Sequence, residues 1–257
     1  MSSGQDDRQA NESVETQLPG RPDATQRMEE DPRARAAASR RIATRQRLIE
    51  CAIDVFAQRG ATGAVIDDFI VPAGVARGTF YNHFVTTAEL LQAVVAALGD
   101  EIVALIDPML QPVPSPAERL AMGIRFYLVM AERSSVLASF VTSVGTRSGA
   151  MGELVERYMG RDLEAGRAQG LFDFEHAGAA RDLLMGCAMQ CIESLHTGRH
   201  PLAEVTTSLQ MALRGIGLPQ DEAFRVCAQP LPLLQPSHAS ILWRLLSFDD
   251  GVNKLDQ

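Results

Sequence analysis

Side chains able to do chemistry gather at three places in this chain of 257 residues. The densest is Arg77-Gly78-Thr79-Phe80-Tyr81-Asn82-His83-Phe84, which brings a guanidinium, two hydroxyls, an amide and an imidazole into one short stretch. At helical spacing Ala76, Phe80 and Phe84 form one row suited to a core, and Arg77 and Tyr81 form the row beside it. Cys187 and Cys191 lie four apart and so share a helical face, a spacing open to a thiol switch or a metal. No second pair with ligand spacing lies near them, and packing accounts for them more simply. His196 and His200 repeat that spacing, yet Gly198 and Pro201 put them at a helix end, which counts against a metal site. No Ser-His-Asp set, glycine-rich phosphate loop or carboxylate pair stands out. The expectation is therefore a protein that is not an enzyme, with no catalytic residues, metal or cofactor.

The elements that must position these residues read as helices. Aromatics are scarce, β-branched runs are short, and Ala, Leu, Met, Arg and Glu supply the periodic segments, which points to an all-α chain. Residues 1 to about 32 hold three arginines and eight acids with few large apolar residues, too little apolar surface to offset the entropy of ordering. From Thr44, Leu48, Ile49, Ala52, Val55 and Phe56 line one helical face, and Gly60 is placed to end that helix. A second helix fits Ile66 to about Val71, with Asp67 and Asp68 favouring its N-terminal end and Pro72 stopping it. A turn through Ala73, Gly74 and Val75 leads into a third helix from about Ala76 to Asn82. The stretch from Asp67 to Phe84 thus reads as a helix-turn-helix.

Thr86 or Thr87 can cap a fourth, longer helix whose apolar residues keep helical spacing until Pro108. Pro112, Pro114 and Pro116 mark a linker. Further helices are readable at 117–132, 134–145, 150–168, 177–196 and 201–215, with a short one from Asp221 to Cys227 before a proline-rich stretch at 230–236. Ile241, Leu242, Trp243, Leu245 and Leu246 are too apolar for a free tail and should pack on the body or a partner.

The first residues lack the apolar core of a secretory signal and no stretch is long and apolar enough to span a bilayer, so a cytoplasmic protein with no membrane partner is expected. Four cysteines in such a chain do not form a disulfide framework. The formal charge of −8 argues against nucleic acid only until its distribution is considered. Between Arg33 and Phe84 stand eight arginines against four acids, a net of +4. A basic segment on an acidic body suits a protein that touches phosphate with one end.

Over Thr44 to Leu91 the pattern resembles the TetR family. Ala52 and Phe56 before Gly60, the pair Asp67-Asp68, Ala73-Gly74-Val75, and Gly78 through Phe84 follow it almost position by position. The resemblance implies an N-terminal three-helix helix-turn-helix DNA-binding domain and a C-terminal helical ligand-binding and dimerisation domain. It divides the chain into a disordered tail with a basic end (1–38), a DNA-binding domain (39–87), a ligand-binding and dimerisation domain (88–218) and a C-terminal extension (219–257). It also implies that the helix from Ala76 enters the major groove, where Arg77 reads a guanine edge or grips phosphate. Gly78 would permit close approach, Thr79, Asn82 and His83 would hydrogen-bond bases or backbone, and Tyr81 would donate to a phosphate. Arg41, Thr44, Arg45 and Thr87 complete the expected DNA-contacting set. Ala76 replaces the usual capping Ser or Thr, at a cost of about 1 kcal/mol. Ala88 stands where the family commonly has a lysine, and Arg33, Arg35, Arg40 and Arg41 are candidates to compensate as an arm along the DNA backbone or in the minor groove.

The same resemblance implies a repressor acting as a homodimer on a palindromic, double-stranded operator, through the helices at 177–196 and 201–215, and released by a small hydrophobic effector. Met122, Phe126, Tyr127, Met130, Phe140, Met151 and Tyr158 form an apolar, pliable set that can line a cavity for it or serve as plain core. Two other readings stay open: a redox-responsive regulator using Cys187 and Cys191, and a helical protein of this fold without operator binding.

Overall fold

A computed structural model of the chain describes residues 32–144 and 150–247, with side chains for 33–144 and 157–247. Among these residues there are eleven helices and no strand: α1 (Pro32–Gly63), α2 (Ile66–Ala73), α3 (Arg77–Tyr81), α4 (Thr87–Leu110), α5 (Pro116–Arg133), α6 (Ser135–Val144), α7 (Ala150–Ala168), α8 (Ala177–His196), α9 (Leu202–Gly215), α10 (Gln220–Ala228) and α11 (Ile241–Ser247). The chain divides into two units between Ile42 and Ala43. In the first unit, residues 33–42 are helical and exposed. Helix one therefore starts at Pro32, ahead of the start expected from the sequence at Thr44. The reason is local: Pro32 occupies the first helical position and the residues after it are mainly Ala and Arg, strong helix formers. Residues 1–31 lie outside the described residues.

In the second unit, Gly60 breaks α1 where the sequence places its end, at φ 73° and ψ 174°, and one more turn runs to Gly63. Pro72 does not stop α2, which runs on to Ala73. A proline in the last turn of a short helix removes only one backbone bond, so the end falls instead at Gly74, whose φ of 62° is the left-handed conformation that glycine adopts without cost. There the N–H of Val75 donates to the Ile70 carbonyl (3.1 Å), closing the helix end. Pro108 likewise lies inside α4. Thr86 caps α4, its hydroxyl accepting from the Glu89 N–H (3.1 Å) while the Glu89 carboxylate accepts from the Val85 N–H (2.6 Å).

Two apolar clusters hold the second unit together. One joins α1 to α4 with parts of α5, α6 and α8 and with α11, from Leu48 and Phe56 through Phe80, Val94 and Phe140 to Leu242 and Leu246. The other joins α5, α7, α8, α9 and α10 around Leu120, Leu163, Leu184, Leu209 and Val226. Between α9 and α10, Gly217 has φ 97°, and a Cβ there would stand 2.3 Å from the Asp173 backbone nitrogen, so no other residue fits. The apolar stretch at the C-terminal end does pack on the body: Ile241, Leu242, Leu245 and Leu246 are all buried.

Candidate nucleic-acid interface and ligand cavity

The recognition unit is built on a line of phenyl rings. Phe56 of α1 meets Phe69 of α2 (4.9 Å between centroids), Phe69 meets Phe80 of α3 (6.4 Å), and Phe80 meets Phe84 (6.0 Å). All four are essentially without solvent exposure. A helix as short as α3 is not stable by itself, so its orientation is set by this packing. Its first turn has no side-chain cap: Ala76 serves only through its carbonyl, which accepts from Thr79 (2.9 Å) and Phe80 (3.2 Å). Asp68 orders the start of α2 by accepting from the Val65 N–H (2.9 Å) and pairing with Arg59 (3.1 Å).

Opposite the rings, Arg77, Gly78, Tyr81 and Asn82 are exposed, while Thr79, His83 and Thr87 are half-buried. Asp67 of α2 holds the Arg77 guanidinium loosely at 3.7 Å. Tyr81 is 52 % exposed and rests edge-on against Phe80, which leaves its hydroxyl free to reach outward. At Gly78 a Cβ would meet nothing within 4 Å, so the protein itself does not require glycine there. Thr44 is half-buried at the start of the second unit. Arg45 lies over the Phe84 ring at 5.1 Å, which anchors it beside α3. Arg41 belongs to the first unit and is exposed.

A second feature is a cavity of about 100 Å³ lined by α4, α5, α7 and α8 and partly open to solvent. Its wall is apolar, chiefly Ile102, Ile106, Ile124, Met185, Met189 and Ile192, with Tyr127, Tyr158, Arg119, Asp107 and Asp162 as its polar members. Its size is of the order that admits one small ring. Asp162, almost wholly buried, accepts from Arg119 Nε (2.8 Å) and from Arg161 Nε (3.1 Å). Arg119 is fixed further by the carbonyls of Val113 (2.7 Å) and Pro114 (3.1 Å). Burial raises the pKa of the Tyr127 hydroxyl well above its usual range, which keeps it a neutral donor. Arg161 lies over the Tyr158 ring at 5.1 Å.

Of the seven residues expected around an effector, Tyr127 and Tyr158 line this cavity. Met122, Phe126 and Met130 sit in the core away from it, and Phe140 lines a smaller void of about 10 Å³ that shares Ile102, Tyr127 and Ile192 with the cavity wall. The Met151 side chain lies outside the described residues. Arg119 and Asp162 are not legible in sequence, because they are 43 positions apart and neither belongs to a motif.

The sulfurs of Cys187 and Cys191 are 4.0 Å apart, and Cys191 also faces the Val205 carbonyl at 3.5 Å. The contact between the thiols lowers the pKa of Cys187 and, together with burial, raises that of Cys191. His200 pairs with Glu204 (2.8 Å). Among the described residues no group of three His, Cys, Asp or Glu side chains is placed to hold a metal, and no helix is long and apolar enough to cross a membrane.

The family model described as "Bacterial regulatory proteins, tetR family" matches residues 48–94, the recognition unit and the start of α4. The crystal structure of RolR in complex with resorcinol is similar over 77 % of this chain and all of its own, with a TM-score of 0.63 and 26 % identity. Residues 48–94 carry the N-terminal domain of TetR-family regulators. Over 64 residues the chain is 44 % identical to the HTH-type transcriptional regulator SrpR of Pseudomonas putida and to the uncharacterized HTH-type transcriptional regulator TtgW of the same species. That stretch is 25 % of this chain, 30 % of SrpR and 48 % of TtgW. The chain thus spans less than half the length of these curated relatives, whereas the likeness to RolR covers most of the chain and so extends to the helical body.

Proposed function

We propose that this protein is a DNA-binding transcriptional regulator, a repressor that holds a palindromic operator as a homodimer and releases it when a small effector enters the cavity. The observation that carries the reading is the outward face of α3: Arg77, Gly78, Tyr81 and Asn82 exposed on a helix whose other side is locked by Phe80 and Phe84. Such a helix offers donors to base edges and phosphates from a rigid mount. The match of residues 48–94 to the model of bacterial regulatory proteins of the tetR family, and the likeness over 64 residues to regulators described as HTH-type, support it.

The test is salt-dependent binding to DNA from upstream of the protein's own reading frame in a mobility-shift assay. Arg77→Ala is expected to weaken it by about 1–3 kcal/mol if Arg77 grips a guanine edge, and Tyr81→Phe by less. Sequence-independent binding, or binding indifferent to both changes, counts against the reading.

The exposed, arginine-bearing helix of residues 33–42 is proposed to add phosphate contacts, offsetting Ala76 and Ala88. Deleting residues 1–41 should then lower operator affinity and flatten its salt dependence, by about one unit of slope for each phosphate that is no longer neutralised. Unchanged affinity refutes that role.

For the body, α8 and α9 are proposed as the dimer surface. Leu183 and Met211 are exposed there, 46 % and 64 %, and Gly186 is exposed beside them, which allows close helix approach. The cavity is proposed to take a small hydroxylated ring. Its apolar wall would cover the ring, with the Tyr127 hydroxyl and the Arg119 and Asp162 pair available to polar substituents. RolR, whose complex with resorcinol matches the body helices, supports this class of effector.

A further inference from the structure

The short C-terminal helix α11 is fastened to two helices at once. On one side the N–H groups of Ile241 and Leu242 donate to the two carboxylate oxygens of Glu101 on α4, at 3.1 and 2.9 Å. The next N–H, of Trp243, donates to the Ser240 hydroxyl (3.0 Å), so the unpaired donors at the start of the helix find partners in turn. On the other side Arg244 reaches α1, donating to the Glu50 carbonyl (2.8 Å) and pairing with Asp54 (3.2 Å). Between the two, Ile241, Leu242, Leu245 and Leu246 join the cluster that contains Leu48 and Leu90.

The two attachments differ in strength. The α4 side is a carboxylate on two backbone donors, a charge-assisted contact that favours permanence. The polar contacts to α1 all come from one side chain, Arg244: a bond to the Glu50 carbonyl and an ion pair between half-exposed groups, 34 % and 43 % exposed, a class of pair that contributes little. Arg244 Nε is moreover buried without a partner, which subtracts from it.

We infer that α11 is a latch anchored on α4 that engages α1 reversibly through Arg244, and so sets the angle at which the recognition unit is carried. Because α1 holds α3 through the ring line Phe56, Phe69 and Phe80, an altered angle between α1 and α4 redirects the face presented to DNA. The consequence for DNA rests on the operator reading, whereas the latch contact itself does not.

The experiment uses the full chain with Arg244→Ala and, separately, Asp54→Asn, which removes the same pair from the α1 side. Amide hydrogen exchange is followed across residues 47–58, and binding is measured to the DNA upstream of the protein's own reading frame. Expected are faster exchange in that part of α1 with unchanged exchange in α5 and α10, and an operator dissociation constant shifted by about threefold or more, the scale of coupling that one contact carries. Unchanged exchange in α1 overturns the latch, and faster exchange with an unshifted dissociation constant overturns its role in orienting the recognition unit. If the unaltered protein binds no DNA, the operator reading fails, and the exchange measurement still decides whether α11 latches α1.

Discussion

Phe80→Ala is expected to cost the protein about 3–5 kcal/mol and to abolish operator binding, because it removes the ring on which α3 stands. Phe80 has no solvent exposure and touches Phe69, Tyr81 and Phe84, so truncation opens a cavity between α2 and α3 that rigid neighbours cannot fill. The recognition helix spans only Arg77–Tyr81 and has no side-chain cap, so little else retains it. Urea unfolding measures the first effect, and mobility shift on the protein that remains folded measures the second. Tyr81→Phe keeps the ring and serves as the contrast, since it alters the outward face alone. A destabilisation of less than about 1 kcal/mol, or an unweakened shift, would show that α3 is held by something other than the ring line.

Arg119→Ala should destabilise the protein by about 3 kcal/mol, at the low end of the range for breaking a buried pair, because Arg161 remains on Asp162. Asp162 is nearly fully buried against an apolar cavity, and Arg119 is its shorter contact, at 2.8 Å against 3.1 Å. The variant also frees the Val113 and Pro114 carbonyls that Arg119 now ties together ahead of α5. If the cavity takes a hydroxylated ring, removing this pair should also abolish the release of operator by resorcinol, whereas an apolar occupant would still act. Replacing the pair together, Arg119→Met with Asp162→Leu, should recover most of the stability while leaving the resorcinol response absent. The two effects are read by thermal unfolding and by titrating resorcinol into the protein–DNA complex. Retained stability in Arg119→Ala would mean that Arg161 alone satisfies the carboxylate.

The recognition unit is legible in sequence because its contacts are local. Ala76, Phe80 and Phe84 share a helical row through spacing alone, and Gly74 declares a left-handed turn wherever it stands in this pattern. The same local logic locates ten of the helices, the start of α1 apart, to within a few residues. It errs where a rule about single residues is applied without its surroundings. A proline inside a helix should stop it, yet Pro72 in a last turn removes one bond, and Gly74 makes the end. The arginines from 33 to 41 suggest a solvated tail by charge, while their helix propensity, with Pro32 before them, makes a helix.

Sequence by itself determined the all-helical class, the ring framework of the recognition unit and the face that Arg77 and Tyr81 share, since all of these follow from periodicities of three to four residues. Tertiary structure alone decided the cavity, which Tyr127 and Tyr158 line, while Met122, Phe126 and Met130 are buried outside its wall. It alone brought Arg119 to Asp162, and Arg244 to Asp54 across 190 positions. A charged side chain finds its partner wherever the packing of helices places one, and no spacing rule along the chain records which helices will meet.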